Sequence, residues 1–427
     1  MKTPTTSPRA LATASVEENP LGMAYEALTA SFEHFCLIAG MESLTQMMSE
    51  DVTRLAGDRY EHSAEKPGYR WGTSKGQVGF HGGKVEVDRP RVRSKSTGKE
   101  MALPSWEEIS AGGFLDQWAM NLMVMNVATR KFGGAVRLSE AGVPAQAGSG
   151  LSKSAVSRRF KKLSQAKFDE WMAADLADLE IIAIQIDGLH LDDKLLMIGA
   201  VGIDIHGNKH PLGVVEGATE NAATVQALLD NLIERGLDPE GCFLFIVDGA
   251  KALSKAIRKT FGADIPIQRC QIHKARNIID KLPTKHHAAV RSALKQAWEL
   301  EDANKAERLL RNLAKRFENE APDVSRSILE GLDEMLTVIR LGLPLELRRS
   351  LANTNIIESM NSVIRQVCRN VKRWRDAKMA LRWTAAGMLE AKKGFRRVNA
   401  YKQLPILQQA LLAHRKKPEL DQTKEAA

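Results

Sequence analysis

Residues 180–187 read EIIAIQID and residues 242–248 read CFLFIVD, two nearly unbroken apolar runs that each end on an aspartate followed by glycine. Short apolar runs of this kind, bounded by turn residues, are read as strands covered on both faces. KLLMIGAVGID (194–204) and KHPLGVVEG (209–217) read as two more strands, joined by the turns HLDD and HGN, so the first three strands form a meander. An amphipathic helix over Asn221–Arg235 precedes the fourth strand, a helix over Ala250–Phe261 follows it, and ADIPIQRC (263–270) is the fifth strand. The order βββαβαβ predicts an α/β core built on a mixed five-stranded sheet.

In such a sheet, with the first and fourth strands adjacent, the carboxylates of Asp187 and Asp248 meet at one edge. Like charges that close repel, and the usual remedy is a shared divalent cation, Mg²⁺ preferring carboxylate oxygens and water. Asp-Gly after a strand is also an ordinary turn signature, and either aspartate taken alone fits that reading. A third acid from a nearby helix would complete a two-metal site, which clamps the attacking and leaving oxygens of an in-line phosphoryl displacement. Glu358 is the candidate. It lies in NTNIIESMNSVIRQVCRNVKRW (353–374), where Ile356, Ile357, Met360, Val363, Ile364 and Val367 form an apolar stripe. Asn355 and Glu358 also have capping-box spacing, a structural alternative for the same residue.

The chain has 427 residues, 44% hydrophobic and 26% charged, enough for more than one globular core. Lys plus Arg number 61 against 52 Asp plus Glu, a net charge of +9 that favours polyanionic partners. The excess is concentrated. Leu351 to Ala400 holds 11 basic and 3 acidic residues, and Arg365, Arg369, Lys372, Arg373 and Arg375 follow Glu358 closely. Basic side chains three or four apart share a helix face and can hold a DNA backbone. Aromatic residues make up only 5%, so contact with nucleic acid is expected to be mainly to phosphate.

Towards the N-terminus, residues 1–22 read as a disordered tail and Met23 to Gly57 as a small helical region. GQVGFHGGKVEVDRPRVRS (76–94) alternates around a Gly-Gly turn and predicts a hairpin with Arg89, Arg91 and Arg93 on one face. LSKSAVSRRFKKL (151–163) follows a small-residue connection and reads as a helix capped by Ser152. It suits a helix-turn-helix recognition helix with Ser154, Ser157, Arg158 and Lys161 as its DNA-contact face, or else an ordinary amphipathic surface helix.

The runs 245–278, FIVDGAKALSKAIRKTFGADIPIQRCQIHKARNI, 218–237, ATENAATVQALLDNLIERGL, and 354–370, TNIIESMNSVIRQVCRN, resemble the mutator-type transposases of bacterial insertion sequences. The resemblance spans roughly Tyr60 to Arg397 and includes the order Asp187, Asp248, Cys270-x-x-His273, Glu358. It implies a ribonuclease-H-like catalytic core with Asp187, Asp248 and Glu358 as catalytic and metal-ligating triad, two Mg²⁺ ions with Mn²⁺ as a substitute, and an all-helical insertion before the helix that bears the glutamate. The implied activity is DNA transposition: binding of terminal inverted repeats, strand cleavage, and strand transfer into target DNA, with a homodimer on the DNA and no small-molecule substrate. Cys270 and His273 mark the start of the insertion near the active site, with Arg276 and Asn277 one turn on. Zinc is not read from this pair, because a second C-x-x-C or H-x-x-H is missing within reach. Trp298 is read as core, although the family places a tryptophan in the insertion near flanking DNA. Val367 and Cys368 stand where the family more often has arginine.

The expected organisation is therefore a DNA-binding region over 23–170, a catalytic domain over 171–273 and 344–400, a helical insertion domain over 274–343, and a C-terminal tail over 401–427. Scattered cysteines, a polar N-terminus and the lack of a long apolar stretch favour the bacterial cytoplasm, with no membrane. Two rivals share these features: a DNA-binding regulator without chemistry, and a metal-dependent nuclease of the same fold. A converging acidic triad disfavours the first, since a pure binder gains nothing from acids that repel phosphate.

Overall fold

The computed structural model describes residues 39–61, 65–80, 83–110, 113–127, 145–146, 153–193, 195–217 and 221–425. The chain forms two compact units, one of Met1–Leu122 with Val127–Phe160, the other of Met123–Asn126 with Lys161–Ala427.

In the first unit, helix α1 (39–56) lies over a small antiparallel sheet. Strands β1 (Gly68–Phe80) and β2 (Gly83–Ser94) pair from Gly68↔Ser94 to Phe80↔Gly83, the expected hairpin, and its two linking residues lie outside the described ones. Strands β3 (Glu100–Met101) and β4 (Ala145–Gln146) pair with β2. Leu44 and Met48 pack on Val78 and Val87, and Val52 and Ala56 pack on Val92 and Leu103. Helices α2 (Pro104–Ser110) and α3 (Gly113–Val124) follow. The Asp51 carboxylate accepts from the Ser105 N–H (2.9 Å) and hydroxyl (2.6 Å), satisfying the first turn of α2.

Helix α4 (Lys153–Ala173) is a single 21-residue helix, longer than the sequence suggests, and the division between the units falls within it at 160/161 rather than at 170. Ser152 and the segment that would hold the first helix of a helix-turn-helix lie outside the described residues.

The second unit is built on the five strands read from sequence: β5 (Ile181–Asp192), β6 (Leu195–Asp204), β7 (Lys209–Gly217), β8 (Leu244–Val247) and β9 (Ile267–Arg269). Their order is β7-β6-β5-β8-β9, antiparallel on the β6 side of β5 and parallel on the β8 side. Both faces are covered, which is why β5 reads as a continuous apolar run. Ile184, Ile186, Phe245 and Val247 pack against α5 (Ala222–Glu234) and α6 (Lys251–Phe261). Ile182, Ala183, Leu244 and Ile246 join the helices of the opposite face.

Those helices are α7 (Gln271–Ile279), α8 (Thr284–Glu299), α9 (Ala303–Arg316), α10 (Pro322–Leu329), α11 (Leu332–Met335), α12 (Thr337–Arg340) and α13 (Leu345–Leu351). Then come α14 (Asn355–Cys368), α15 (Ala377–Lys393) and α16 (Leu404–Glu425). The segment 274–343 is helical as expected, but its apolar side chains share one continuous core with the sheet, so it is not a separately packed body. The C-terminal stretch is not a tail. Leu404, Leu407 and Leu411 of α16 are buried in that same core, because their spacing places them on one helix face. Gly207 holds the β6–β7 turn at φ +82°, where a Cβ would stand 2.5 Å from that of Tyr401. At Gly387 of α15 a Cβ would stand 2.9 Å from Ile364 Cα, so the glycine permits the close passage of α14. Among the described residues no helix is long and apolar enough to cross a membrane.

Two buried glutamines tie helices to the sheet. Gln185, fully buried, donates from Nε2 to the Asn353 carbonyl (3.0 Å) and accepts at Oε1 from the Ile357 N–H (3.1 Å), an orphan donor in the first turn of α14. Gln268, also fully buried, accepts from the Val338 N–H (3.0 Å) and donates to the carbonyls of Arg269 (2.7 Å) and Met335 (3.1 Å). The pairings Gln185↔Ile246 and Ile246↔Gln268 place both in one row across the sheet.

Gln185→Leu keeps the volume but leaves the Ile357 N–H and the Asn353 carbonyl unpaired in the interior, each costing about 1–3 kcal/mol. Urea unfolding is expected to show that loss, and unchanged stability would mean that water or a shift of α14 replaces the amide. Asp204 makes a second, titratable tie. Its carboxylate accepts from the N–H groups of His206 (2.9 Å) and Asn208 (2.8 Å), from Asn208 Nδ2 (2.8 Å), and bonds His210 Nε2 (2.9 Å). Burial opposes its ionisation, yet the hydrogen bonds from His210 and Asn208 outweigh this and hold its pKa below the usual value. A depressed carboxylate pKa contributes stability that is present above the unfolded value, near about 3.9, and is lost as pH falls through the folded one. Asp204→Asn is therefore expected to be less stable at pH 7 by about 1–3 kcal/mol, with the gap to wild type closing below about pH 4. A gap independent of pH would remove the charge from the explanation.

Candidate active site

Parallel pairing aligns Ile186 with Val247 and Val247 with Arg269, so the next residues of the three chains, Asp187, Asp248 and Cys270, occupy corresponding register positions. They lie two residues beyond the Gln185 row, and alternation puts them on the same face of the sheet, the one covered by α14. Asp187 accepts from Asn361 Nδ2 on α14 (2.9 Å) at Oδ2. Asp248 accepts from the Ala250 N–H (2.9 Å) at the start of α6.

Glu358 sits in the first turn of α14. The capping-box alternative is not what the structure contains: its Oε1 accepts from the Thr354 hydroxyl (2.7 Å), a side chain with no exposure, rather than from a backbone N–H. That hydroxyl is also 3.3 Å from Cys270 Sγ and 3.4 Å from His273 Nδ1, and His273 Nε2 lies 3.7 Å from Glu358 Oε1. Cys270 caps α7, its sulfur accepting from the His273 N–H (3.5 Å). Burial opposes ionisation of this thiol, but the bonds from His273 and Thr354 bring it below the ordinary thiol value. His273 is raised to about 9 by its bond to Cys270, against the effect of burial, and further by the charges of Cys270, Glu358 and Asp187.

Cys270, His273 and Glu358 are a group whose ligand atoms all lie within 4.8 Å of one another. The Thr354 hydroxyl lies within hydrogen-bond distance of all three, so the cluster is a hydrogen-bonded network. Among the described residues neither Asp248 nor Glu358 has a Lys or Arg partner. Carboxylate oxygens are the hard donors that Mg²⁺ or Mn²⁺ takes, and Glu358 has the His273 imidazole as its nearest cation at 3.7 Å. Arg276 and Asn277 are exposed on α7, one turn past His273.

The other predicted positions differ in their availability. Arg365 and Arg369 are exposed on the Glu358 side of α14 and just past its end, and Lys372, Arg373 and Arg375 are exposed in the segment before α15. Val367 and Cys368 are buried, Cys368 with its thiol pushed up to about 12, so both serve the core rather than the basic face. Ser154, Ser157, Arg158 and Lys161 are exposed along one side of α4, and Val156, Phe160 and Ser164 are buried. Arg89, Arg91 and Arg93 do share a face of β2, but they are engaged. Arg89 and Arg91 both pair with Glu100, Arg91 at 2.7 Å, and the Arg93 guanidinium lies 4.1 Å from the centre of the Trp71 ring. Trp298 is half-buried against the helical core, as its helical spacing implied.

Three residues of the site escape a reading by motif: Gln185, Thr354 and Asn361. Gln185 leaves a trace as the one polar residue inside IIAIQI, and Asn361 as a polar residue on the apolar side of α14.

The family described as "Transposase, Mutator family" matches residues 36–397. The transposase for insertion sequence element IS6120 of Mycolicibacterium smegmatis is 30% identical over 223 residues, 51% of this chain and 67% of that protein. The transposase for element ISRM5 of Rhizobium meliloti is 26% identical over 84% of this chain and 87% of its own length. The transposase for element IS406 of Burkholderia multivorans is 27% identical over 88% and 95%. With a family match over residues 36–397, most of its length, this chain belongs to the Mutator family of transposases.

Proposed function

We propose that the protein is the transposase of an insertion sequence, cutting DNA at the element's terminal inverted repeats and joining the ends to target DNA, in a ribonuclease-H-like core. The observation that carries this reading is the pairing of Ile186 with Val247 on adjacent parallel strands, which puts the next residues, Asp187 and Asp248, at matching positions near the helix that bears Glu358. Asp187, Asp248 and Glu358 would hold two Mg²⁺ ions, or Mn²⁺ in their place. Bound there, the ions would activate the attacking hydroxyl and stabilise the leaving oxygen of phosphoryl transfer. The chain's own contribution is orientation. Asn361 fixes the Asp187 carboxylate, Thr354 fixes that of Glu358, and His273 places a positive charge beside Glu358 that limits repulsion among the acids.

DNA is held by the cations that are not already paired. The exposed run Arg365, Arg369, Lys372, Arg373 and Arg375 follows Glu358 and suits the backbone at the scissile phosphate, and Arg276 and Asn277 flank it from α7. The α4 row of Ser154, Ser157, Arg158 and Lys161 suits recognition of the terminal repeat, with Arg89, Arg91 and Arg93 supporting that unit. The active form on DNA is a homodimer in the bacterial cytoplasm.

Asp187→Asn, Asp248→Asn and Glu358→Gln are each expected to abolish cleavage and joining of the element's ends, as EDTA does in the wild type, while folding and end binding persist. A variant that still cleaves removes its residue from the triad. The triple replacement of Arg365, Arg369 and Arg373 by Ala is expected to weaken binding to all sequences alike and to lower the dependence of log K on log salt by up to about three units. An unchanged salt slope with wild-type cleavage would reduce the run to surface charge.

A further inference from the structure

Beside the first turn of α14, on a face neighbouring that of Arg365 and Arg369, lies a groove of about 590 Å³. Lys209 at the start of β7, Arg349 at the end of α13, Asn353 and Asn355 at the start of α14, and Arg396 and Arg397 in the loop after α15 line it. Four cations face a single acid, Glu346. Their engagement is uneven. Arg349 pairs with Glu299 at 2.6 Å, and Arg397 stacks 5.0 Å from the Tyr401 ring centre, which fixes its direction without neutralising it. Arg396 is exposed and has no hydrogen-bond or ion-pair partner among the described residues. Lys209 is half-buried, and burial holds its ammonium below the ordinary value, a cost that an anion alongside would offset.

We infer that this groove holds a second DNA segment, the target strand, alongside the terminal segment held by the run after Glu358. Strand transfer brings two DNA segments to one centre, and two separate basic surfaces on different faces of the glutamate helix meet that requirement. Asn355 and Ser359, neighbours of Glu358 on α14, form the groove wall, so a backbone lying in it passes the first turn of that helix. The amides of Asn353 and Asn355 and the guanidinium groups are the donors that phosphate oxygens accept, whatever the sequence. The inference rests on the reading of the site as a strand-transfer centre.

The test uses the full chain saturated with terminal-repeat DNA and a fluorescent duplex of unrelated sequence as the second segment. Arg396→Glu/Arg397→Glu is expected to weaken capture of the second duplex by about tenfold or more while end binding stays within about twofold, because only one of the two phosphate surfaces is reversed. Joining to target is expected to fall in proportion, with end cleavage retained. Arg396→Glu alone, at a position with no partner to lose, repeats the measurement without risk to the fold. Equal losses for both DNA segments, or second-segment capture unchanged in both variants, would overturn the assignment. If the wild type failed to cleave, the active-site reading would fall, and the binding measurement would still decide the groove.

Discussion

A polar side chain buried in a sheet must find partners, and in this protein the partners that Gln185 finds set the position of the glutamate helix. Its amide reaches the Asn353 carbonyl and the Ile357 N–H, on either side of the turn where α14 begins. Because side chains alternate along β5, the residue two further on, Asp187, faces the same helix and receives Asn361. Strand and helix are thereby held at two points on opposite sides of Glu358. Gln268 does the same for the helical segment by binding Val338 and Met335, so that a long excursion of chain returns to the sheet in register. Hydrophobic contact alone would let α14 slide by fractions of a turn, whereas hydrogen bonds to specific backbone atoms do not.

Charge is handled differently in the two units. The arginines of β2 are consumed by Glu100 and by indole faces, an arrangement that stiffens a small sheet with little core of its own. The basic residues beyond Glu358 lie in a stretch whose nearest acid, Asp376, is occupied in capping α15. Cations left without counter-charges over that length carry a cost in self-repulsion, and a polyanion relieves it.

The meeting of Cys270, Thr354, His273 and Glu358 depends on two chain segments separated by the whole helical excursion. One hydroxyl stands within hydrogen-bond distance of all three side chains, and its single proton goes to the nearest, Glu358 Oε1, so the carboxylate is oriented without a lysine or arginine beside it. The C-x-x-H spacing follows from α7: the cysteine caps the helix while the histidine, three residues on, stands in its first turn.

The strands, their order and the two strand-end aspartates were legible from residues alone, because strands covered on both faces leave unbroken apolar runs and acids at their ends interrupt them sharply. Glu358 was legible as a candidate third acid on a nearby helix, though its spacing fitted a cap equally well, and the Thr354 contact removes the cap. The C-terminal helix was missed because three core leucines at its start are diluted by the charged residues that follow. The independence of the helical segment was overread, since periodicity shows that a helix has an apolar face but not which surface covers it. The role of Gln185, the joining of Cys270 to Glu358 through Thr354, and the engagement of the β2 arginines were decided by tertiary structure alone. Each depends on atoms brought together across long stretches of chain, and no local pattern of residue types records which distant partner a polar group will meet.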